Sequence, residues 1–157
     1  MSQVDLDPFD AHILNLLQTD NRMTAQRIAD EVGLSPAAVQ KRLKRLRSGE
    51  VITSEIAVVS PKAVGLNLAA IVQVRLSRDN AAELEQFKEV MLNAPEVTQC
   101  YYVTGECNFV VMVEIRDMEA YEAFSRKYFI EDEVVSQFVT SVVMDRVKSN
   151  GALKLQA

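Results

Sequence analysis

The segment around residues 33–35 constrains this chain more than any other feature, because one helix must end and another begin within three residues. Thr24 is suited to cap a helix that ends at Gly33, since glycine adopts the left-handed conformation that often follows a helix. Ser35 is suited to cap the next helix, with Pro36 at its first position. Helices joined by so short a turn cross at a large angle. With a first helix starting after Asp7, residues 1–50 are predicted to form a helix-turn-helix.

The last of these helices carries a basic stripe. The chain is acidic overall, with net charge −5, yet five Lys or Arg residues fall between positions 41 and 47 and no acid lies between Glu31 and Glu50. At helical spacing, Val39, Leu43 and Leu46 share one side and most cations lie opposite. This division is what a DNA recognition helix needs, whereas a helix face charged only for solubility is the alternative.

The spacing also predicts which residues contact DNA. The N-terminal half of a recognition helix lies deepest in the major groove, where Gln pairs with adenine, Lys pairs with guanine and small Ala permits close approach. The expected base contacts are Ala37, Gln40 and Lys41. The expected phosphate contacts are Arg42, Lys44, Arg45 and Arg47, joined at the helix starts by Thr24 and Ser35.

After residue 50 the pattern changes to alternating strands and helices. Residues 51–63 are predicted to be a linker, with a connecting strand over 51–60. The predicted strands are 68–76, 97–103, 108–115 and 135–147, and the helices are 81–93 and 118–129. This β-α-β-β-α-β order is typical of a ferredoxin-like domain, here residues 64–157, so the fold class is α+β. The tail over 149–157 shows no pattern and is expected to be frayed.

The predicted sheet is apolar on both faces, although its helices cover only one. Phe109 and Val111 belong to one side of their strand, while Val110 and Met112 belong to the other. A second apolar face in water marks an interaction surface. We therefore expect a homodimer that forms sheet to sheet.

A turn around Gly105 offers hydroxyl, carboxylate and amide groups in a short space. Such groups suit the ammonium and carboxylate of a free amino acid. These residues by themselves are more typical of an ordinary hairpin connection than of a ligand site. Both interpretations stay open at this point.

Several classes of protein are not expected. No apolar run approaches the ~20 residues of a membrane span, and acids stand near the N-terminus where a secretory signal carries Lys or Arg. A cytoplasmic, nucleoid-associated protein with reduced Cys100 and Cys107 is expected. No metal-ligand spacing, cofactor motif or catalytic set occurs, and the single histidine, His12, is predicted to be a partly buried structural residue. The chain is not expected to be an enzyme.

These features together resemble the Lrp/AsnC family of leucine-responsive and asparagine-synthetase regulators. The segments that carry the resemblance are LDPFDAHIL at 6–14, DNR at 20–22, VGLSP at 32–36, VQKRLKRL at 39–46, VTGE at 103–106 and VVMDRVK at 142–148. The resemblance spans roughly residues 5–150. It implies a regulator that binds double-stranded DNA and whose dimers assemble into octamers or related assemblies.

The resemblance also implies an amino-acid effector bound between dimers. The positions that it assigns to this site are Tyr102, Thr104, Gly105, Glu106, Asn108 and Thr140. Asn108 departs from the Asp common in the family, which puts the effector's ammonium contact in question. A ligand-independent architectural DNA-binding protein is one alternative. An enzyme like the haem-pathway decarboxylases that share the fold is a second, less favoured one.

Overall fold

The computed structural model describes residues 5–78, 80–149 and 151–156. Two compact units are present. The first comprises the described residues up to Ala57 together with those from Val147 onward, and the second runs from Val58 to Arg146. We expected residues 64–157 to form one domain. The described residues from Val147 onward instead group with the first unit.

The first unit contains three helices, α1 (Pro8–Leu17), α2 (Ala25–Val32) and α3 (Pro36–Ser48). Each begins at a predicted cap: the side chains of Asp7, Thr24 and Ser35 accept the backbone N–H three residues ahead. Gly33 ends α2 with φ 73°, which glycine adopts without steric cost. The predicted helix-turn-helix is therefore confirmed.

One apolar cluster holds these helices together. Ile13 on α1, Ile28 on α2 and Leu46 on α3 are each 0% exposed and belong to it. Burying side chains of this size contributes about 1.5–3 kcal/mol each, so the buried stripe holds α3 in position. The opposite side of α3 is left facing outward.

The connecting strand expected over residues 51–60 finds no hydrogen-bonded partner strand among the described residues of one chain. These residues form no strand in the structure, and a single 3₁₀ turn, Lys62–Val64, follows them. Ile56, Val58 and Val59 are exposed along this segment. The segment alternates as a strand does, but it has no hydrogen-bonded neighbour among the described residues of one chain.

The second unit is a four-stranded sheet with two helices. Its elements are β1 (Leu68–Leu76), α4 (Ala81–Asn93), β2 (Val97–Tyr102), β3 (Phe109–Ile115), α5 (Met118–Ser125) and β4 (Val135–Val142). The strand order is β2-β3-β1-β4 and every pair is antiparallel. This is the predicted ferredoxin-like arrangement.

Two element ends differ from the prediction by more than one residue. The helix predicted over 118–129 is α-helical only to Ser125, as α5. It continues as a π-helical turn, Arg126–Ile130, which keeps Tyr128 and Phe129 buried. The last strand ends at Val142 rather than at residue 147. The pairing register of β1 with β4 shifts between Arg75 and Leu76, as it does at a β-bulge.

The two faces of the sheet are unlike. The helix side holds a cluster that includes Val72, Val111 and Phe87, all 0% exposed. On the other side, Met112 of β3 pairs with Ile71 of β1, and both are partly buried. Val139 of β4 pairs with Gln73 on the same side and is 52% exposed. We call this side the open face.

The C-terminal tail is ordered where a frayed end was expected. Residues 151–156 run along α1, and Leu155 packs against the apolar cluster of the first unit. Positions 150 and 157 of the predicted tail lie outside the described residues. The pattern of the tail alone did not indicate this contact, because its partners lie on α1.

Candidate nucleic-acid interface and effector loop

The outward side of α3 presents the predicted base-contact residues. Ala37, Gln40 and Lys41 are exposed, and Lys44 is exposed one turn further along. The buried Val39 and Leu43 of the same helix fix its orientation on the first unit. Polar and small side chains therefore lie together on one accessible helical surface.

Arg42 is held by carboxylates from α1. Its guanidinium donates to Asp7 at 2.7 Å and to Asp10 at 2.8 Å, and its side chain is only 24% exposed. It also lies over the ring of Phe9, 5.4 Å from the ring centroid. Arg42, predicted to contact phosphate, is thus engaged within the protein and ties α3 to α1.

Asp10 is the centre of this network. Its side chain is 0% exposed and accepts from Arg42, from Arg45 and from the backbone N–H of Asp7. Arg45 remains 47% exposed, so it has further N–H donors beyond those that face Asp10. The backbone N–H of Asp10 and, after it, the guanidinium of Arg42 lower the pKa of Asp7.

Arg47 also has an acidic partner. It forms two hydrogen bonds with Glu55, at 3.0 and 2.9 Å, in an exposed pair. These hydrogen bonds lower the pKa of Glu55. Three of the four predicted phosphate contacts are therefore ion-paired within the chain, and only Lys44 among them forms no ion pair with another described residue.

Thr24 and Ser35 serve as helix caps. The Thr24 hydroxyl accepts from Arg27 N at 3.3 Å, and the Ser35 hydroxyl accepts from Ala38 N at 3.2 Å. Both side chains lie at the helix starts, where neither is buried. Their hydroxyls retain a proton that can be donated to a phosphate oxygen.

The loop between β2 and β3 contains the predicted effector residues Thr104, Gly105 and Glu106, all of which are exposed. Gly105 has φ 128°, a conformation that other residues rarely adopt. Arg75 donates through Nε to the Glu106 carbonyl oxygen at 2.8 Å. The guanidinium thereby anchors the loop while the side chains of Thr104 and Glu106 stay accessible.

Asn108 lies at the base of this loop. Its Oδ1 accepts the backbone N–H of Leu76 at 2.9 Å, its backbone N–H donates to the Val74 carbonyl and its carbonyl accepts from Val103. The amide oxygen is therefore directed at β1. The position that departs from the family's common Asp thus has a structural contact in this chain.

The other two predicted effector residues face the helical layer. Tyr102 packs against Phe109, with ring centroids 5.3 Å apart, and Lys88 Nζ lies 5.5 Å from the centroid of its ring. Thr140 hydrogen-bonds to Tyr121, whose hydroxyl has its pKa raised by burial. Within one chain, the register places Thr140 opposite Val72, whereas the loop adjoins Val74. The loop and Thr140 are thus not brought together by a single chain.

Sequence reasoning missed three contacts that shape these sites: Asp10 with the α3 arginines, Arg75 with the loop, and the α1 amides with the tail. Arg75 carried a signal, because it is a lone cation in an otherwise largely apolar strand. Asp10 gave no separate signal and belonged only to the segment 6–14 that resembles the Lrp/AsnC family. His12, expected to be partly buried, is exposed on α1.

Metal-binding and membrane-spanning features are absent from the part of the chain that the structure describes. Across 5–78, 80–149 and 151–156 there is no group of three or more His, Cys, Asp or Glu side chains suited to a metal ion. No helix in those ranges has the length and apolar character needed to cross a membrane. Cys100 and Cys107 are free thiols.

Comparison with known proteins agrees with this architecture. The AsnC-type helix-turn-helix domain matches residues 6–47, and the Lrp/AsnC ligand binding domain matches residues 69–153. The chain belongs to the Lrp/AsnC family. The resemblance stated from the sequence is confirmed, and this Lrp/AsnC protein is a DNA-binding transcription regulator that carries a ligand-binding domain.

Relatives of this Lrp/AsnC protein align along nearly its whole length. An HTH-type transcriptional regulator of Sinorhizobium fredii is 46% identical over 98% of this chain and 90% of its own. The leucine-responsive regulatory protein of Klebsiella pneumoniae is 30% identical over 97% of this chain and 93% of its own. The crystal structure of a Neisseria meningitidis transcriptional regulator in complex with L-Met superimposes with a TM-score of 0.89, at 30% identity, and covers 95% of this chain and 96% of its own.

Proposed function

We propose that this regulator inserts α3 into the major groove of double-stranded DNA. Ala37, Gln40 and Lys41 contact base edges, and Lys44 contacts phosphate. The observation that carries this proposal is the division of α3 into an exposed polar side and a side anchored by buried apolar residues and by Asp10. In a recognition helix, the first side reads DNA and the second fixes the angle of entry.

The arginines of α3 have different roles in this proposal. Arg42 positions the helix through Asp7 and Asp10 rather than binding phosphate. Arg45 bridges Asp10 and a phosphate, since about half of its side chain is accessible. Arg47 exchanges Glu55 for phosphate, because an exposed ion pair contributes little and separates readily. Thr24 and Ser35 donate their hydroxyls to phosphates at the helix starts.

We propose a homodimer formed through the open face, as a unit of a larger assembly such as an octamer. Ile71, Met112 and Val139 provide an apolar centre, and polar side chains such as Gln73 and Gln137 surround it. An apolar centre with a polar rim is the usual anatomy of a protein interface. Two recognition helices on one particle also gain affinity for DNA through effective concentration.

We propose that an amino acid is the effector and that it binds at the Gly105 loop between dimers. The accessible Thr104 and Glu106 side chains suit its carboxylate and ammonium, and Tyr102 and Asn108 support the loop from within. A second chain would have to supply the remaining wall, where Thr140 was expected. The L-Met complex of the Neisseria relative supports this class of ligand.

DNA binding is tested by measuring affinity for a promoter fragment across a range of salt concentrations. Replacing both Lys41 and Lys44 with Ala should weaken binding and reduce the slope of log K against log salt by about 1 for each phosphate that is no longer neutralised. Arg126→Ala removes an exposed cation from the second unit and is the matched control. An unchanged slope in the double variant would place the DNA-binding surface elsewhere.

The effector is tested by thermal unfolding against a panel of common amino acids at millimolar concentration. A ligand at about 100 times its dissociation constant adds about 2.7 kcal/mol when it binds only the folded state. A rise in melting temperature with particular amino acids, absent in Glu106→Gln, supports the loop as the site. If no amino acid raises the melting temperature, the ligand-independent architectural alternative is favoured, and the structural contact of Asn108 is the observation that supports it.

We further propose that the protein has no enzymatic activity and acts on DNA in the cytoplasm as a nucleoid-associated regulator. The relatives named above are transcriptional regulators, and the exposed His12 forms no ion pair with another described residue. Addition of a tetrapyrrole should leave the tetrapyrrole's absorbance spectrum unchanged. A time-dependent spectral change would support the decarboxylase alternative.

A further inference from the structure

Two side chains of the first unit bind the backbone of the C-terminal tail. These contacts are separate from the proposed DNA-binding surface and from the effector loop. Asn15 and Gln18 lie three residues apart, within α1 and at its C-terminal cap, and therefore share a helical face. Both carry a carboxamide, which has one acceptor oxygen and an NH₂ donor. A carboxamide can therefore satisfy the N–H and C=O of one residue at the same time, as a neighbouring strand does.

Both side chains are used in this way. Asn15 Nδ2 donates to the Leu155 carbonyl at 3.0 Å, and Asn15 Oδ1 accepts from Leu155 N at 3.3 Å. Gln18 Nε2 donates to the Leu153 carbonyl at 3.0 Å, and Gln18 Oε1 accepts from Leu153 N at 2.7 Å. Each amide thus binds both backbone groups of one tail residue, and the two tail residues are separated by a single intervening residue, Lys154.

The spacing of helix and tail makes this match possible. Three helical residues rise about 4.5 Å along α1, whereas two extended residues span about 6.6 Å. Gln18 is one methylene longer than Asn15 and can span the difference. The side chain of Leu155 is partly buried against the apolar cluster, while Leu153 is 73% exposed. The contacts therefore recognise an extended backbone, with one apolar side chain setting the register.

We propose that Asn15 and Gln18 form a binding site for an extended peptide segment, and that the chain's own residues 153–155 occupy it as a strap that stabilises the DNA-binding unit. The tail continues from β4 of the ligand-binding unit. The chain therefore connects the two units twice, once through the residues after α3 and once through this strap. Four hydrogen bonds and one apolar contact hold the tail against the first unit.

Hydrogen exchange of individual backbone amides in the full-length protein tests the site. The Leu153 and Leu155 amides should exchange at least about tenfold more slowly than in an unstructured peptide, because each donates to a side-chain oxygen. Gln18→Ala should remove protection chiefly at Leu153, and Asn15→Ala chiefly at Leu155. Gln26→Ala is the matched control, since Gln26 is an exposed glutamine on α2 whose side chain donates to Asp30 one turn further along the same helix.

The stabilising role is tested in the same protein with Leu155→Asp, which leaves the sequence of all three helices unaltered. Protection should disappear at both tail amides and should fall several-fold at the buried Ile28 amide of α2. Unprotected tail amides in the wild type would overturn the binding site. Loss of tail protection in the variant with unchanged protection at Ile28 would overturn the strap.

Discussion

At the scale of single residues, the cations of α3 divide between two tasks that sequence alone does not separate. Lys41 and Lys44 are exposed, whereas Arg42 is bound by Asp7 and by the fully buried Asp10. A guanidinium can donate to two carboxylates at once, which an ammonium does with less geometric control. The residue type therefore matches the anchoring role at position 42.

Asp10→Ala should strongly destabilise the first unit. The substitution leaves the backbone N–H of Asp7 and the Arg45 guanidinium without this acceptor, and it removes one of the two carboxylates that bind Arg42. Because both guanidiniums remain partly exposed to water, the loss should cost about 1.5–3 kcal/mol. Urea unfolding of the wild type and the variant measures the difference in free energy. Asp30→Ala, at an exposed position on α2, is the control and should change it by less than about 0.5 kcal/mol.

Asp7→Asn should alter how stability depends on pH. Asparagine keeps the helix cap but has no charge for Arg42. Because the pKa of Asp7 is lowered in the folded state, its charged form stabilises the fold above the unfolded value near pH 4. This contribution is lost as pH falls through the lower folded pKa. The gap between wild type and variant, followed by urea unfolding between about pH 6 and about pH 2, should therefore narrow on acidification, and a constant gap would contradict the prediction.

At the scale of elements, the β2–β3 hairpin is an anchored loop rather than a tight two-residue turn. Asn108 and Arg75 secure its base and side, so that Thr104 and Glu106 are presented on a fixed backbone. A preorganised loop loses less conformational entropy when a ligand binds. The hairpin is thus better suited to recognition than a mobile connection would be.

Gly105→Ala tests the conformation of this loop. No atom lies within 4 Å of the added Cβ, so the cost comes from φ 128° alone and should be about 1 kcal/mol or more of unfolding free energy. Gly49→Ala is the matched control, because Gly49 has an ordinary φ of −90°. Thermal unfolding measures both variants. Equal melting temperatures would show that the loop relaxes freely around the new side chain.

At the scale of the whole molecule, the open face is the side of the sheet that the helices of the second unit leave uncovered. Apolar residues at its centre are only partly covered in one chain, and an exposed apolar patch of this kind is typical of an interaction surface. The helix side of the same sheet, by contrast, is closed by its own α4 and α5.

Val139→Lys should weaken the homodimer that we propose. A cation placed in the apolar centre of the interface would be desolvated without a partner, which costs several kcal/mol. Light scattering at micromolar concentration should give a mass of at least two chains for the wild type and a smaller mass for the variant. Ile130→Lys, at an apolar position that is similarly exposed but lies outside the sheet, should leave the mass unchanged. A wild-type mass of one chain would contradict the dimer.

Local signals in the sequence determined the elements of this protein. The caps at Asp7, Thr24 and Ser35, with Gly33 at the turn, each act within about four residues, so the helices of the first unit follow directly from the chain. Short runs rich in β-branched and aromatic residues indicated the four strands for a similar reason. Residues 51–60 alternate as a strand does, but they form no strand within one chain, because a strand also requires a hydrogen-bonded neighbour.

Only the tertiary structure decided which polar groups meet. Asp10 and Arg45 are 35 residues apart in sequence, and Asn15 and Leu155 are 140 apart. Neither pair follows from helical or strand spacing, because each depends on how complete elements pack. The fold therefore assigned Arg42 to an anchor, Asn108 to the base of a loop and the tail to α1. Long-range hydrogen bonds have no period in the chain that would reveal them.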